Sequence, residues 1–199
     1  MIKISPSFSD TDFTSPYTFE EKARIFYDRI IGWQFDIAEK IINGKKRPSG
    51  EYEIEPLQHS GFAVLYIVLS YFETIAKYQD GYRGTSKAGK YFKKGVKSIF
   101  PNLSTQPQNI IDDLLDTLYK GVRCGLYHSA AITSKVGLTG GTTSAFVYDV
   151  SNLRLFINPH KLVAVLKAHL DTYMIQLQNL TNTQLRRKFE TRFDFEGSQ

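Results

Sequence analysis

Apolar residues recur along this chain mainly at helical spacing. Phe19, Ala23, Phe26, Ile30, Trp33, Ile37 and Ile41 follow one another at intervals of three and four, which puts them on one face of a long first helix. Ser15-Pro16 offers an N-cap and first-turn proline, Thr18 with Glu21 an overlapping capping box, and Asn43-Gly44 a stop. Residues 1–15 are rich in Ser, Thr, Asp and Pro, lack an apolar period, and read as a flexible arm. A polar loop, Lys45 to Glu55, follows the helix.

From Gln58 to Gln79 the pattern changes. Phe62 through Leu69 is apolar nearly all round, and the apolar positions continue through Phe72, Ile75 and Ala76. A buried strand seldom runs so far, so this is read as the central helix of a bundle, with Glu73 directly behind its most apolar stretch. A shorter basic helix is expected from Ser86 to Phe100, with Ala88, Phe92, Val96 and Ile99 inward, lysines outward and Pro101 as its stop. A further helix starts at Thr105 to Pro107 and carries Ile111, Leu115, Leu118, Val122 and Leu126 inward. Its Asp112, Asp113 and Asp116 precede Lys120 and Arg123, the order that complements the helix dipole.

Residues 133–144, with Gly137, Gly140 and Gly141, read as a loop without the Gly-Lys-Ser/Thr ending of a phosphate-binding P-loop. Phe146, Tyr148 and Val150 alternate, as do Leu153, Leu155 and Ile157, around Ser151-Asn152, which predicts a β-hairpin. Asn158-Pro159 then opens a last long helix facing inward with Leu162, Leu166, Leu170 or His169, Tyr173 and Leu177. The expected fold is all-α: an antiparallel bundle of four to five helices over residues 16–180, with the hairpin near 145–157 inserted and a basic tail over 181–199 that can continue as a helix.

Composition narrows the function classes. With 199 residues and 42% hydrophobic content, the chain supports one well-buried core. A single cysteine, Cys124, excludes an internal disulfide and suits a reducing cytoplasm; the four histidines have no zinc spacing, so neither metal nor cofactor is expected. The start of the chain lacks the apolar core of a signal peptide, and the longest uncharged stretch, Pro56 to Phe72, is interrupted by polar residues, so no membrane association is expected. The net charge of +5 leans toward a polyanionic partner. Lys87, Lys90, Lys93, Lys94 and Lys97, with Arg83, form one basic cluster, and Arg186, Arg187, Lys188 and Arg192 a second. Solvated helix faces explain either cluster equally well.

The residues best suited to chemistry are Arg123 and His128. Arginine grips a phosphate through two parallel hydrogen bonds, and histidine moves protons near neutrality. Set five apart at the end of an amphipathic helix, behind an apolar helix bearing Glu73, they make the chain resemble the HEPN family of helical nucleotide-binding domains. The resemblance covers most of Thr18 to Leu180, with the hairpin as an elaboration. It implies a metal-independent endoribonuclease, often a toxin or defence effector, that works as a homodimer and is held in check by an inhibitory partner protein. Arg123 would then hold the scissile phosphate, and His128 would act as general acid or base, leaving a 2′,3′-cyclic phosphate and DNA uncut.

Geometry gives a separate reason to expect two subunits. On an ideal helix, residues five apart point about 140° away from one another, so Arg123 and His128 share a site only if Gly125 distorts the turn or a second copy supplies half of it. Family members often carry Asn, Asp or His after the arginine; here it is Cys124, a poor hydrogen-bond donor. A bundle that binds RNA or nucleotide without cutting it is therefore the alternative, and a helical dimer that only bridges other proteins is a third. Tyr127 is placed to stack on a base or to pack, Glu73 to support the site, and Lys120 with the 87–97 lysines to contact more distant phosphates.

Overall fold

The computed structural model describes residues 1–198, and in them the chain is mostly helical with two small sheets. Helix α1 runs from Phe19 to Ile30 and opens on the Thr18 capping box rather than at Pro16. The Glu21 amide donates to Thr18 Oγ1 at 3.3 Å, and the Thr18 amide donates to Glu21 Oε2 at 2.7 Å. A π-helical turn, Ile31–Phe35, joins α1 to α2, Asp36–Asn43. That widened turn overturns part of the expected inward stripe. Ala23, Phe26 and Ile30 are buried, but Trp33 and Ile37 are exposed while Phe35, Ala38 and Ile42 take their places in the core. A π turn closes i→i+5 and takes in one residue more than an α turn, which moves the buried face by one position.

The polar loop after α2 contains a short antiparallel ribbon, β1 (Lys45–Lys46) with β2 (Tyr52–Ile54). The apolar helix is divided at Leu69 into α3, Gly61–Val68, and α4, Ser70–Asp80. At the junction the Ser70 hydroxyl donates back to the Ile67 carbonyl at 3.2 Å, a local bond that competes with the helical ladder. This helix is not buried all round. Val64, Leu65, Val68 and Leu69 are in the core, whereas Phe62 and Tyr66 are exposed.

Helix α5, Ala88–Ile99, packs against α4 at backbone contact. A Cβ on Gly95 would lie 1.8 Å from the Phe72 carbonyl oxygen, so only glycine lets the two helices approach this closely. After a 3₁₀ turn at Pro101–Thr105 come α6 (Gln108–Asp116), a second π-helical segment (Thr117–Cys124) and α7 (Gly125–Ser129). Their buried residues include all five of the expected stripe: Ile111, Leu115, Leu118, Val122 and Leu126.

The chain is not purely helical. The expected hairpin forms from β4 (Phe146–Asp149) and β5 (Arg154–Ile157), with the Asp149 carboxylate accepting from the amides of Ser151 and Asn152 in the turn. A third strand, β3 (Val136–Leu138), emerges from the presumed glycine-rich loop and pairs parallel to β5, giving the order β3-β5-β4. Helix α8, Pro159–Gln178, is capped by Asn158 and buries Leu162, Leu166, Leu170, Tyr173 and Leu177 as the pattern predicts, with Leu170 rather than His169 on the innermost face.

Both ends of the chain pack onto this framework. The polar, basic tail, which could continue as a helix, does so as α9, Thr183–Gly197, whose Phe189 and Phe193 are buried. Phe189 sits against Phe26 and Tyr78, at ring distances of 5.5 and 5.2 Å. At the other end, the Asp28 carboxylate accepts from the Ser5 hydroxyl (2.6 Å), the Ser7 amide (2.7 Å) and the Ser7 hydroxyl (2.8 Å), while Arg29 donates to the Ile4 carbonyl. Those bonds hold residues 4–7 against α1.

Candidate functional site

Three elements converge on Arg123. α4 presents Glu73, the second π segment carries Arg123 itself, and α7 presents Tyr127 one turn further on. The Arg123 guanidinium lies 3.5 Å from Glu73 Oε2, and the Lys77 ammonium lies 2.5 Å from Glu73 Oε1. All three side chains are largely withdrawn from water, with exposures of 22%, 17% and 8% for Arg123, Glu73 and Lys77. One carboxylate therefore serves two cations, and the cluster keeps a net positive charge at a partly desolvated position.

Aromatic rings complete the surroundings. Arg123 Cζ is 4.8 Å from the Tyr127 ring centre and 5.8 Å from that of Tyr119, within cation–π range of both. Tyr127 stacks on Tyr66 of α3, with centroids 4.3 Å apart and planes within 10°, and its hydroxyl donates to the Tyr66 carbonyl at 3.1 Å. Burial raises the pKa of the Tyr127 hydroxyl, against the pull of Arg123 in the other direction. Tyr119 packs beside Cys124, and its own hydroxyl is raised by burial first and by that neighbour second.

His128 is not gathered into this cluster. It is exposed on α7, and among the described residues no hydrogen bond or ion pair joins it to Arg123. The π geometry ends at Cys124, so the five-residue separation is spanned mostly by ordinary helix, and Arg123 turns inward while His128 faces solvent. Gly125 does not create a special backbone turn, since its φ is −57°, within the right-handed helical region. Its role is room: a Cβ there would meet the Ala131 carbonyl oxygen at 2.4 Å, where the chain folds back after α7.

No family model, curated protein or solved structure matches this chain.

The lysines expected to contact phosphates divide into two kinds. Lys93 of α5 and Lys120 of the π segment both bond Asp116, which lowers that carboxyl's pKa, and Lys94 pairs with Asp80 at 2.6 Å. Lys90 and Lys97 are exposed on α5, and Lys87 precedes it with its ammonium 5.8 Å from the Tyr82 ring centre. In the second basic cluster, Arg192 is structural: buried, it donates to the carbonyls of Tyr82 and Gly84 and pairs with Glu196.

The remaining histidines lie elsewhere. His59 and His160 line a cavity of about 500 Å³ between α3 and the start of α8, and His169 bonds the Tyr71 hydroxyl at 2.9 Å in the interior. Among the described residues, no three His, Cys, Asp or Glu side chains gather as a metal site, and no helix is long and apolar enough to cross a membrane.

Sequence reasoning missed Tyr119 beside Arg123, Lys77 beside Glu73 and Tyr66 beside Tyr127. The Glu73 to Lys77 spacing of four was a readable signal. The pairing of Tyr66 with Tyr127 was not, because it joins helices 61 residues apart in the chain.

Proposed function

We propose that this protein is a metal-independent endoribonuclease of the HEPN type, its helices forming the bundle and its three-stranded sheet an elaboration of it. The observation that carries the reading is the setting of Arg123, a partly exposed guanidinium fixed by Glu73 and flanked by two tyrosine rings, five residues from a solvent-facing histidine. A cation held in this way is pre-oriented for a phosphate and loses little freedom when it binds one.

In this reading Arg123 holds a non-bridging oxygen of the scissile phosphate and stabilises the charge that grows there. His128 takes the proton of the ribose 2′-hydroxyl or returns one to the leaving 5′-oxygen. Glu73 is a positioning residue acting through Arg123. Because Arg123 and His128 leave their own helix on different sides, the working form is a homodimer, with the histidine of one copy opposite the arginine of the other. Lys90 and Lys97 contact phosphates further along the strand, the protein acts in the cytoplasm, and a toxin or defence role with an inhibitory partner suits a nuclease of this kind.

The test is incubation of RNA with the purified protein in EDTA. Cleavage leaving 2′,3′-cyclic ends, abolished by Arg123→Ala and by His128→Ala and partly regained when the two variants are co-expressed, is the expected result. Intact RNA at high protein concentration sinks the reading; cleavage without recovery on co-expression removes the shared dimer site.

One observation favours a second reading. Arg123 already has a carboxylate partner in Glu73, so a phosphate must share it, and a module that binds RNA or nucleotide without cutting accommodates that arrangement. It predicts salt-sensitive RNA binding with no product.

A further inference from the structure

A second cavity, of about 450 Å³, lies between the end of α5, α6 and β4, and it shares no residue with the Arg123 cluster. Ile99, Ile111, Leu114 and Ala145 form its inner wall and are all buried. Phe100, Phe146 and Tyr148 add aromatic surface, with the first two ring centres 4.9 Å apart. The 3₁₀ turn Pro101–Thr105 closes one side although none of its own residues is buried, and a smaller space of about 240 Å³ lies against the same turn.

Packing alone does not leave a space of this size beside core side chains. Protein interiors are filled to the density of organic crystals, and residues that face a void forgo contacts on that side. Ligand sites, by contrast, are mostly apolar hollows of roughly 300–1,000 Å³ with a few placed polar groups. The lining here has that composition. Among the described residues, none that lines it is Asp, Glu, Lys, Arg or His. The Tyr148 hydroxyl is already committed, donating to the Asp113 carboxylate. Polar recognition is left to Asn102 and Gln106, exposed at the mouth, whose side-chain amides bond no other described residue and carry donors and acceptors alike. The cavity beside His59 and His160 differs on both counts: two titratable side chains line it, and Leu57, Gln58 and Phe62 on its wall are exposed.

We infer that the cavity between α5, α6 and β4 is a binding site for a neutral aromatic small molecule, with a hydrogen-bonding group directed to Asn102 or Gln106. Charge selects the occupant. An ion entering would exchange water for a wall without a counterion, a cost that a neutral molecule avoids. A protein segment would bring backbone amides and carbonyls for which the inner wall has no partners. An aromatic ring removes apolar surface from water and meets Phe100, Phe146 and Tyr148 edge to face. The site stands whether or not Arg123 serves to cut RNA.

Two probes that share a skeleton test this. N-phenylnaphthylamine is neutral, and anilinonaphthalene sulfonate is the same ring system with an anionic group. Titrated against the purified 199-residue chain, the neutral probe is expected to bind saturably, one molecule per chain, with enhanced emission. Ile110→Trp, which puts an indole into the cavity from α6, is expected to weaken that binding by about tenfold or more. Ser144→Trp obstructs the cavity from an exposed position and should act in the same direction without disturbing the core. The sulfonate should bind both variants as it binds the wild type, since any surface it finds lies elsewhere.

The inference is overturned if the neutral probe does not saturate, or if every folded Trp variant binds it as tightly as the wild type. It is equally overturned if the variants lose the sulfonate as they lose the neutral probe, because the site then admits ions. Circular dichroism establishes which variants fold; if Ile110→Trp does not, Ser144→Trp decides the outcome alone.

Discussion

Glu73 and His169 illustrate two ways in which this chain keeps ionisable groups away from water. Glu73 is balanced by Lys77 and Arg123. Removing Glu73 would leave two cations without their shared carboxylate at a largely buried position, which is why Glu73→Gln is expected to disturb Arg123 as well as Lys77. His169 has no such counterion. Burial alone lowers its pKa from the usual value near 6.5 to about 4, while its ring stays bonded to Tyr71. Between those two values the unfolded chain binds a proton that the folded chain refuses, so stability rises with pH across the window. It is fully present above about 6.5 and is lost as pH falls toward about 4. Urea midpoints measured from pH 7 to pH 4.5 should therefore fall more steeply for the wild type than for His169→Gln, whose amide retains an acceptor for Tyr71. Parallel profiles would remove His169 as the cause.

Two helix-level features had different visibility in the sequence. The inward stripes of α6 to α8 were readable because their spacing alone fixes which residues share a face. The π turn at Ile31–Phe35 was not, since an α-helical and a π-helical ladder accept the same residues locally; with it Phe35 lies against Tyr71 of α4, at a ring distance of 5.1 Å, a contact absent from the local pattern. The parallel pairing of β3 with β5 is likewise non-local. Of the candidate site, Arg123 and His128 could be singled out from their residue types, and their spacing already set them about 140° apart on a helix; which of the two turns inward could not be read, because it rests on the contact of Arg123 with Glu73 of another helix. The α4–α5 contact gives a test with an informative sign. In an exposed helix, Gly→Ala stabilises by about 1 kcal/mol. At Gly95 the added methyl meets the Phe72 carbonyl, so Gly95→Ala is expected to destabilise by about 1–3 kcal/mol in urea unfolding, the cost of overpacking. A gain in stability would show that the two helices separate freely.

At the scale of the whole molecule, α1 is enclosed by the two ends of the chain. Residues 4–7 hang from Asp28 and Arg29, and α9 covers the other side through Phe189, with Lys22 bonding Asp194 at 2.8 Å. The polar, basic composition of the C-terminal segment left open whether it is a tail or a further helix. Its apolar pair Phe189 and Phe193, four apart, is the part of the pattern that carries the helix onto the core. Phe189→Ala is expected to cost about 3–5 kcal/mol, seen as a lower urea midpoint with an unchanged spectrum for the remaining helices. A loss within a few tenths of a kcal/mol would mean α9 is dispensable. The arrangement also has a consequence in time. A ribosome adding about 5–20 residues per second makes Phe26 roughly ten to thirty seconds before it makes Phe189. Throughout that interval the nascent α1 lacks the aromatic ring that covers it, so this face of α1 stays open until α9 has been made.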